Sequence, residues 1–213
     1  YKKFAFTTFR CNKKMNIPNS NNKLFILFKL FLIYLFICFN AHADNAKPQN
    51  HLVVMGPNDA AVKIKVFSSL TCPHCADFHN QVVPKIKKNY VDSGKVQLIF
   101  IDFPLDQASF NASKLLHCLD KKQKINFLDI IYKDQKTWTN GSNINEINNN
   151  LKEIVKNLGI SSEQFDKCLN NEIISDKILN GRIEGHQKYS INSTPTIIIN
   201  EEKFEGSASF GDI

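Results

Sequence analysis

Apolar residues along the chain recur with two periods, and the switch between them falls at one short stretch. From Val62 to Ser68, the residues Val62, Ile64 and Val66 alternate with Lys63 and Lys65, the pattern of a strand with one wet face. From Cys75 onward, Cys75, Phe78, His79, Val82, Val83 and Ile86 recur at spacings of three and four. That puts them on one face of a helix reaching about Tyr90. Pro84 is expected to kink this helix, and Ser93-Gly94 to end it. Residues 96–103 are almost unbroken apolar sequence, the mark of an interior strand, closed by Pro104. Ahead of this unit, residues 51–54 read as a short strand and Gly56-Pro57-Asn58-Asp59 as a turn.

Residues 106–190 read as helices: 108–119, 125–132, 147–158, 161–169 and 173–189. Ser161 and Gln164 form a capping box at the start of the fourth, and the fifth is expected to break or fray around Gly181 and Gly185. Residues 137–145 read as a polar loop carrying Trp138, the one tryptophan. Strand signals return at 196–199, followed by a turn at 200–202, a hairpin partner at 203–205, and at 207–213 the start of a last helix. Strands on both sides of the helical block join one sheet in this reading. The fold class is therefore α/β: residues 44–105 and 191–213 make one domain, with 106–190 an all-helical insertion between its βαβ unit and its C-terminal hairpin.

The first 43 residues read differently. Residues 24–39 are apolar except for Lys29, follow Lys23, and lead to Ala41-His42-Ala43. A basic flank, an apolar core and a small-x-small site make a secretory signal peptide, with cleavage expected after Ala43. An uncleaved anchor is the alternative, although the run is short for a membrane span. The chain opens on Tyr1, so Met15 reads as the true start. The leader changes both charge and cysteine arithmetic. It holds seven of the 27 Lys and Arg residues and none of the 20 Asp and Glu. The remainder carries 20 of each and no net charge, so the formal +7 of the whole chain is no argument for nucleic acid. Cys11 and Cys38 leave with the leader, and Cys72, Cys75, Cys118 and Cys168 remain, an even count that suits an oxidising compartment.

The chemistry concentrates at Cys72-Pro73-His74-Cys75, where strand gives way to helix. The first N–H groups of a helix lack internal partners and its dipole is positive there, so a thiolate is favoured at Cys72. The pair could be a redox dithiol, half of a zinc site or a structural disulfide. Zinc would need a second ligand pair of similar spacing, and Cys118 and Cys168 stand alone, which favours redox. In that chemistry Cys72 is the exposed, attacked sulfur and Cys75 its more buried partner. His74, between them, is placed to stabilise the Cys72 thiolate. Pro195, in Ser193-Thr194-Pro195-Thr196, either starts the following strand or forms a cis peptide that sets the Thr194 backbone beside the cysteines to pair with substrate.

With these residues on the page, the chain resembles the bacterial periplasmic disulfide oxidases of the DsbA family, in the thioredoxin superfamily. The matching elements are Phe67-x4-Cys72-Pro73-His74-Cys75, the helical insertion, Thr194-Pro195-Thr196 and Lys203-Phe204-Glu205-Gly206. The resemblance implies a thioredoxin fold, thiol oxidation through Cys72 and Cys75, and a cis Pro195 against the dithiol, with Pro73 and Thr194 meeting substrate. It also implies a Cys118–Cys168 disulfide, as in one branch of the family, with two buried free thiols as the alternative. No cofactor beyond the Cys72–Cys75 disulfide is expected. The implied partners are exported cysteine-containing proteins and a quinone-linked membrane reoxidase, for a monomeric periplasmic protein. Family members usually continue through a full helix past Ile213, so the last helix reads as truncated there, in a chain that is either a fragment or short. Rival functions are a disulfide isomerase or reductase of the same superfamily and a copper chaperone using the dithiol.

Overall fold

The computed structural model describes residues 52–213, so the leader and its cleavage site lie outside the described residues. The strands β1 (Val53–Met55), β2 (Val62–Ser68), β3 (Val96–Asp102), β4 (Thr196–Ile199) and β5 (Glu202–Lys203) form one sheet in the order β1-β3-β2-β4-β5. β2 is central, parallel to β3 and antiparallel to β4. β1 and β5 complete the edges in antiparallel pairs. A parallel pair requires a crossover, and the helix α1, over residues 73–91, supplies it between β2 and β3. Six further helices lie between β3 and β4: α2 (Gln107–Cys118), α3 (Lys121–Lys133), α4 (Gln135–Trp138), α5 (Ile144–Asn157), α6 (Ser162–Leu169) and α7 (Glu172–Tyr189). This is the thioredoxin arrangement with a helical insertion. Among the described residues no helix is long and apolar enough to cross a membrane.

α1 is not uniform. It is α-helical at Pro73–Asp77 and Val83–Ile86 and widens to π-helix at Phe78–Val82 and Lys87–Val91. The wide turn ahead of Pro84 gives room to a ring that would otherwise press on the carbonyl four residues back. The face read from the sequence survives: Cys75, Phe78, His79, Val82, Val83 and Ile86 are all buried. Helix starts follow their caps, Asp120 with Gln123 for α3 and Ser161 with Gln164 for α6, both complete capping boxes.

Three local expectations change. Trp138 is not in a loop. It ends α4, is 1% exposed, and donates its indole N–H to the Ile131 carbonyl at 2.8 Å. α7 runs unbroken through both glycines. Residues 207–213 form turns and bends and not the start of a helix.

The two faces of β2 feed two cores. Ile64 and Val66 join the main core with α1 and the insertion, while Phe67 packs with Phe103, Ile191 and Ile198. α7 lies against Phe67 at Gly185, where a Cβ would stand 2.6 Å from the buried ring. A Cβ at Gly181 would meet nothing within 4 Å. Opposite outcomes are expected in urea unfolding. Gly181→Ala should stabilise by up to about 1 kcal/mol through helix propensity. Gly185→Ala should destabilise by about 1–3 kcal/mol because overpacking outweighs the same gain.

Candidate active site

β2 ends at Ser68, and the four residues that follow are held almost entirely by the insertion. The Ser69 hydroxyl donates to Ser109 Oγ at 2.9 Å, and Ser109 Oγ also accepts the Leu70 N–H at 2.9 Å. The Thr71 hydroxyl donates to Asp106 Oδ2 at 2.7 Å, while the other oxygen of Asp106 caps α2 through the Ser109 N–H. From α4, Gln135 Nε2 donates to the carbonyls of Leu70 at 2.9 Å and Cys72 at 3.1 Å. Cys72 is the N-cap of α1 and Pro73 its first helical residue, where the missing N–H costs nothing. The Cys72 carbonyl also accepts the N–H groups of Cys75 and Ala76, so three donors fix the peptide that aims the first thiol.

Both cysteines are thiols in the structure. Cys72 is 8% exposed and Cys75 2%, so the first sulfur is more enclosed than the sequence suggested. Its cover is the Thr194 segment: Cys72 Sγ donates to the Thr194 carbonyl at 3.3 Å, and the Thr194–Pro195 peptide is cis. His74 is exposed and lines a cleft of about 540 Å³ with Phe78, Lys85, Thr194, Pro195 and Phe210. It faces this cleft, whereas the hydrogen bond that Cys72 makes goes to Thr194.

Burial pushes the Cys75 thiol up to about 12, opposed by the Thr194 side chain and reinforced by charge on Cys72. A thiol raised from about 9.0 favours the folded state while it stays protonated. That contribution is complete below pH 9 and lost as pH climbs toward 12. Relative to Cys75→Ala, the reduced wild type should lose about 2 kcal/mol between pH 9 and 10.5, measured by urea unfolding under dithiothreitol.

Cys118 and Cys168 are joined, with Cα atoms 6.1 Å apart, and tie the end of α2 to α6. Next to this bridge lies a buried polar cluster. Asp102, at the end of β3, accepts from the Ser113 hydroxyl at 2.6 Å through one oxygen and pairs with His117 Nε2 at 2.6 Å through the other. Burial raises the Asp102 carboxyl, but His117, Ser113 and Lys124 together hold it below the usual range. Serine and histidine both bond the carboxylate and not each other, so the trio lacks the geometry of an activated hydroxyl nucleophile. Among the described residues no three His, Cys, Asp or Glu side chains converge to hold a metal ion.

The residues around the dithiol that sequence reasoning missed are Ser109, Asp106 and Gln135. Asp106 had a signal, an N-cap ahead of an apolar run. Gln135 had none, since it acts across 63 to 65 residues of chain.

The sequence profile of the Thioredoxin family matches residues 49–213. A Rickettsia bellii protein, provisionally named protein-disulfide oxidoreductase, is 30% identical over 128 residues, which are 60% of this chain and 48% of that one. The chain thus spans about half the length of that relative. A Bacillus cereus protein named "Probable disulfide bond formation protein D" is 32% identical over 152 residues, 68% of each chain. The crystal structure of Wolbachia pipientis alpha-DsbA1 superposes with a TM-score of 0.68 at 30% identity, covering 78% of this chain and 87% of that one. Likeness of sequence and likeness of fold converge on one lineage, and the chain belongs to the DsbA family of the thioredoxin superfamily.

Proposed function

We propose that this chain is a thiol–disulfide oxidoreductase that passes the Cys72–Cys75 disulfide to cysteine pairs of exported proteins. The observation that carries the reading is the place of Cys72 Sγ, at the N-cap of α1, beside the Thr194 carbonyl and an open cleft. A substrate thiolate bonds to Cys72 Sγ, the Cys72–Cys75 bond breaks, and Cys75 takes the electron pair and a proton. A second substrate thiolate then displaces Cys72, leaving the substrate oxidised and the enzyme a dithiol. In this reading His74 meets substrate at the cleft and Pro73 beside the dithiol, Thr194 offers backbone to an extended peptide, and Pro195 holds that backbone against the dithiol. The leader supports an exported, periplasmic setting with cleavage after Ala43, and the resemblance to the family points to a monomer. A quinone-linked membrane partner would restore the disulfide.

The test mixes oxidised protein with one equivalent of a reduced peptide carrying two cysteines, followed by mass spectrometry. One peptide disulfide per Cys72–Cys75 dithiol formed is expected. No transfer, together with tight copper(I) binding by the reduced protein, would overturn the proposal in favour of a metal carrier. Faster catalysis of insulin reduction than of peptide oxidation would make the chain a reductase.

A further inference from the structure

We propose that Asn140 is a site of spontaneous modification, at which the Gly141 nitrogen closes on the Asn140 side chain and the ring so formed opens to isoaspartate, releasing the hold of α4 on the cysteine loop. The proposal goes beyond the oxidoreductase reading and does not depend on it. The described residues contain two Asn-Gly steps, Asn140-Gly141 and Asn180-Gly181. Such a step is reactive because glycine puts no side chain in the way of the attacking nitrogen and leaves the backbone free to turn. Both asparagines are exposed, so access to water does not separate them. Backbone conformation does.

Asn180 lies inside α7, where the Gly181 N–H points along the axis to a carbonyl one turn back. It cannot swing toward the Asn180 side chain unless the helix opens. Asn140 lies outside regular structure, between α4 and α5. Its N–H donates to the Thr137 carbonyl at 3.3 Å, and its carbonyl accepts from Asn150 Nδ2 at 2.9 Å. Among the described residues no hydrogen bond holds its side-chain amide or the Gly141 N–H. Glycine is required at the second position. A Cβ at Gly141 would stand 2.9 Å from Ile147 Cγ1 and 3.1 Å from Glu146 Cβ, in the first turn of α5. The packing that requires glycine therefore keeps the reactive step in the chain.

In the reaction the Gly141 nitrogen loses its proton to solvent and bonds to Asn140 Cγ, and the side-chain amide leaves as ammonia. Water then opens the succinimide. Cleavage at Cγ gives aspartate, and cleavage at the main-chain carbon gives isoaspartate, with the chain rerouted through the former side chain. The sum is one amide and one water giving a carboxylate and ammonium, with nothing oxidised or reduced. Aspartate only adds a negative charge ahead of α5, where a helix start favours it. Isoaspartate lengthens the backbone by one carbon where Gly141 is pressed on Ile147, and takes the Asn140 carbonyl out of the chain. That carbonyl and the one of Trp138, the latter at 3.2 Å, are what Asn150 Nδ2 of α5 holds. Trp138 ends α4, whose Gln135 in turn holds the Leu70 and Cys72 carbonyls.

The experiment incubates the folded wild type and Asn140→Gln in mildly alkaline buffer, with wild type unfolded in urea alongside. Mass spectrometry follows deamidation in the tryptic peptides 137–152 and 178–182, and an isoaspartyl methyltransferase labels isoaspartate. In the folded wild type Asn140 should react about tenfold or more faster than Asn180, because α7 must first open. In urea the two rates should match. Emission of Trp138, the one tryptophan, should shift to the red as isoaspartate builds up. Asn140→Gln should show neither deamidation at residue 140 nor the shift. Equal rates at the two sites in the folded protein, or deamidation of Asn140 in urea alone, would overturn the site. Constant Trp138 emission once isoaspartate has formed would overturn the release of α4. No readout involves thiol exchange, so failure here leaves the oxidoreductase reading untouched.

Discussion

Replacing Cys72 with serine is expected to abolish peptide oxidation down to the uncatalysed rate. A hydroxyl cannot form the mixed disulfide, and Cys75 is no substitute. It is 2% exposed and held protonated up to about pH 12, so its thiolate is rare at neutral pH. Cys75→Ala should fail differently. Cys72 remains at the cleft and can still be captured, but no neighbouring thiol releases it, so mixed disulfides accumulate. Mass spectrometry after exposure to a disulfide-containing peptide separates the two cases: an adduct on Cys75→Ala and none on Cys72→Ser. Equal loss of oxidation in Cys72→Ser and Cys118→Ser would contradict these roles.

The second large effect concerns stability. Removing the Cys118–Cys168 bridge closes no site, yet it frees a loop of 50 residues. In the chain-entropy account that loop is worth about 4 kcal/mol, a large part of the stability of a domain this size. The bridge anchors the C-terminal end of α2, whose N-cap Asp106 and first-turn Ser109 hold the cysteine loop. The double variant Cys118→Ala, Cys168→Ala should therefore unfold at a much lower urea concentration while still oxidising peptide at temperatures where it stays folded. An unchanged midpoint would show that the bridge contributes nothing.

How far the sequence discloses this molecule depends on the range of the interaction. The buried face of α1 was legible because each of its residues packs on one core and so recurs at the helical period. β3 was legible because both of its faces are covered. Trp138 was not, since α4 has only four residues and its neighbours Lys136, Thr137, Thr139 and Asn140 are polar, as in a loop. The continuity of α7 was hidden because glycine is a poor helix former, and only the approach of Phe67 explains its use at Gly185.

At the site, Cys72 and Cys75 announced themselves by spacing and by their place between a strand and a helix. His74 drew attention through its position between them, but the helix start turns it to the cleft. Gln135 and the Asp102–His117 pair make contacts between distant segments. No local period reports such contacts.

The most direct test of the account is the reduction potential of the Cys72–Cys75 couple in the leader-free protein, measured by equilibration with glutathione. Partial positive charge gathers at the start of a helix, and whatever stabilises a dithiol relative to its disulfide makes that disulfide an oxidant. The account predicts a value more positive than about −200 mV, toward the oxidising end of the superfamily range. A value at or below about −270 mV, that of a thioredoxin-type reductant, would contradict it.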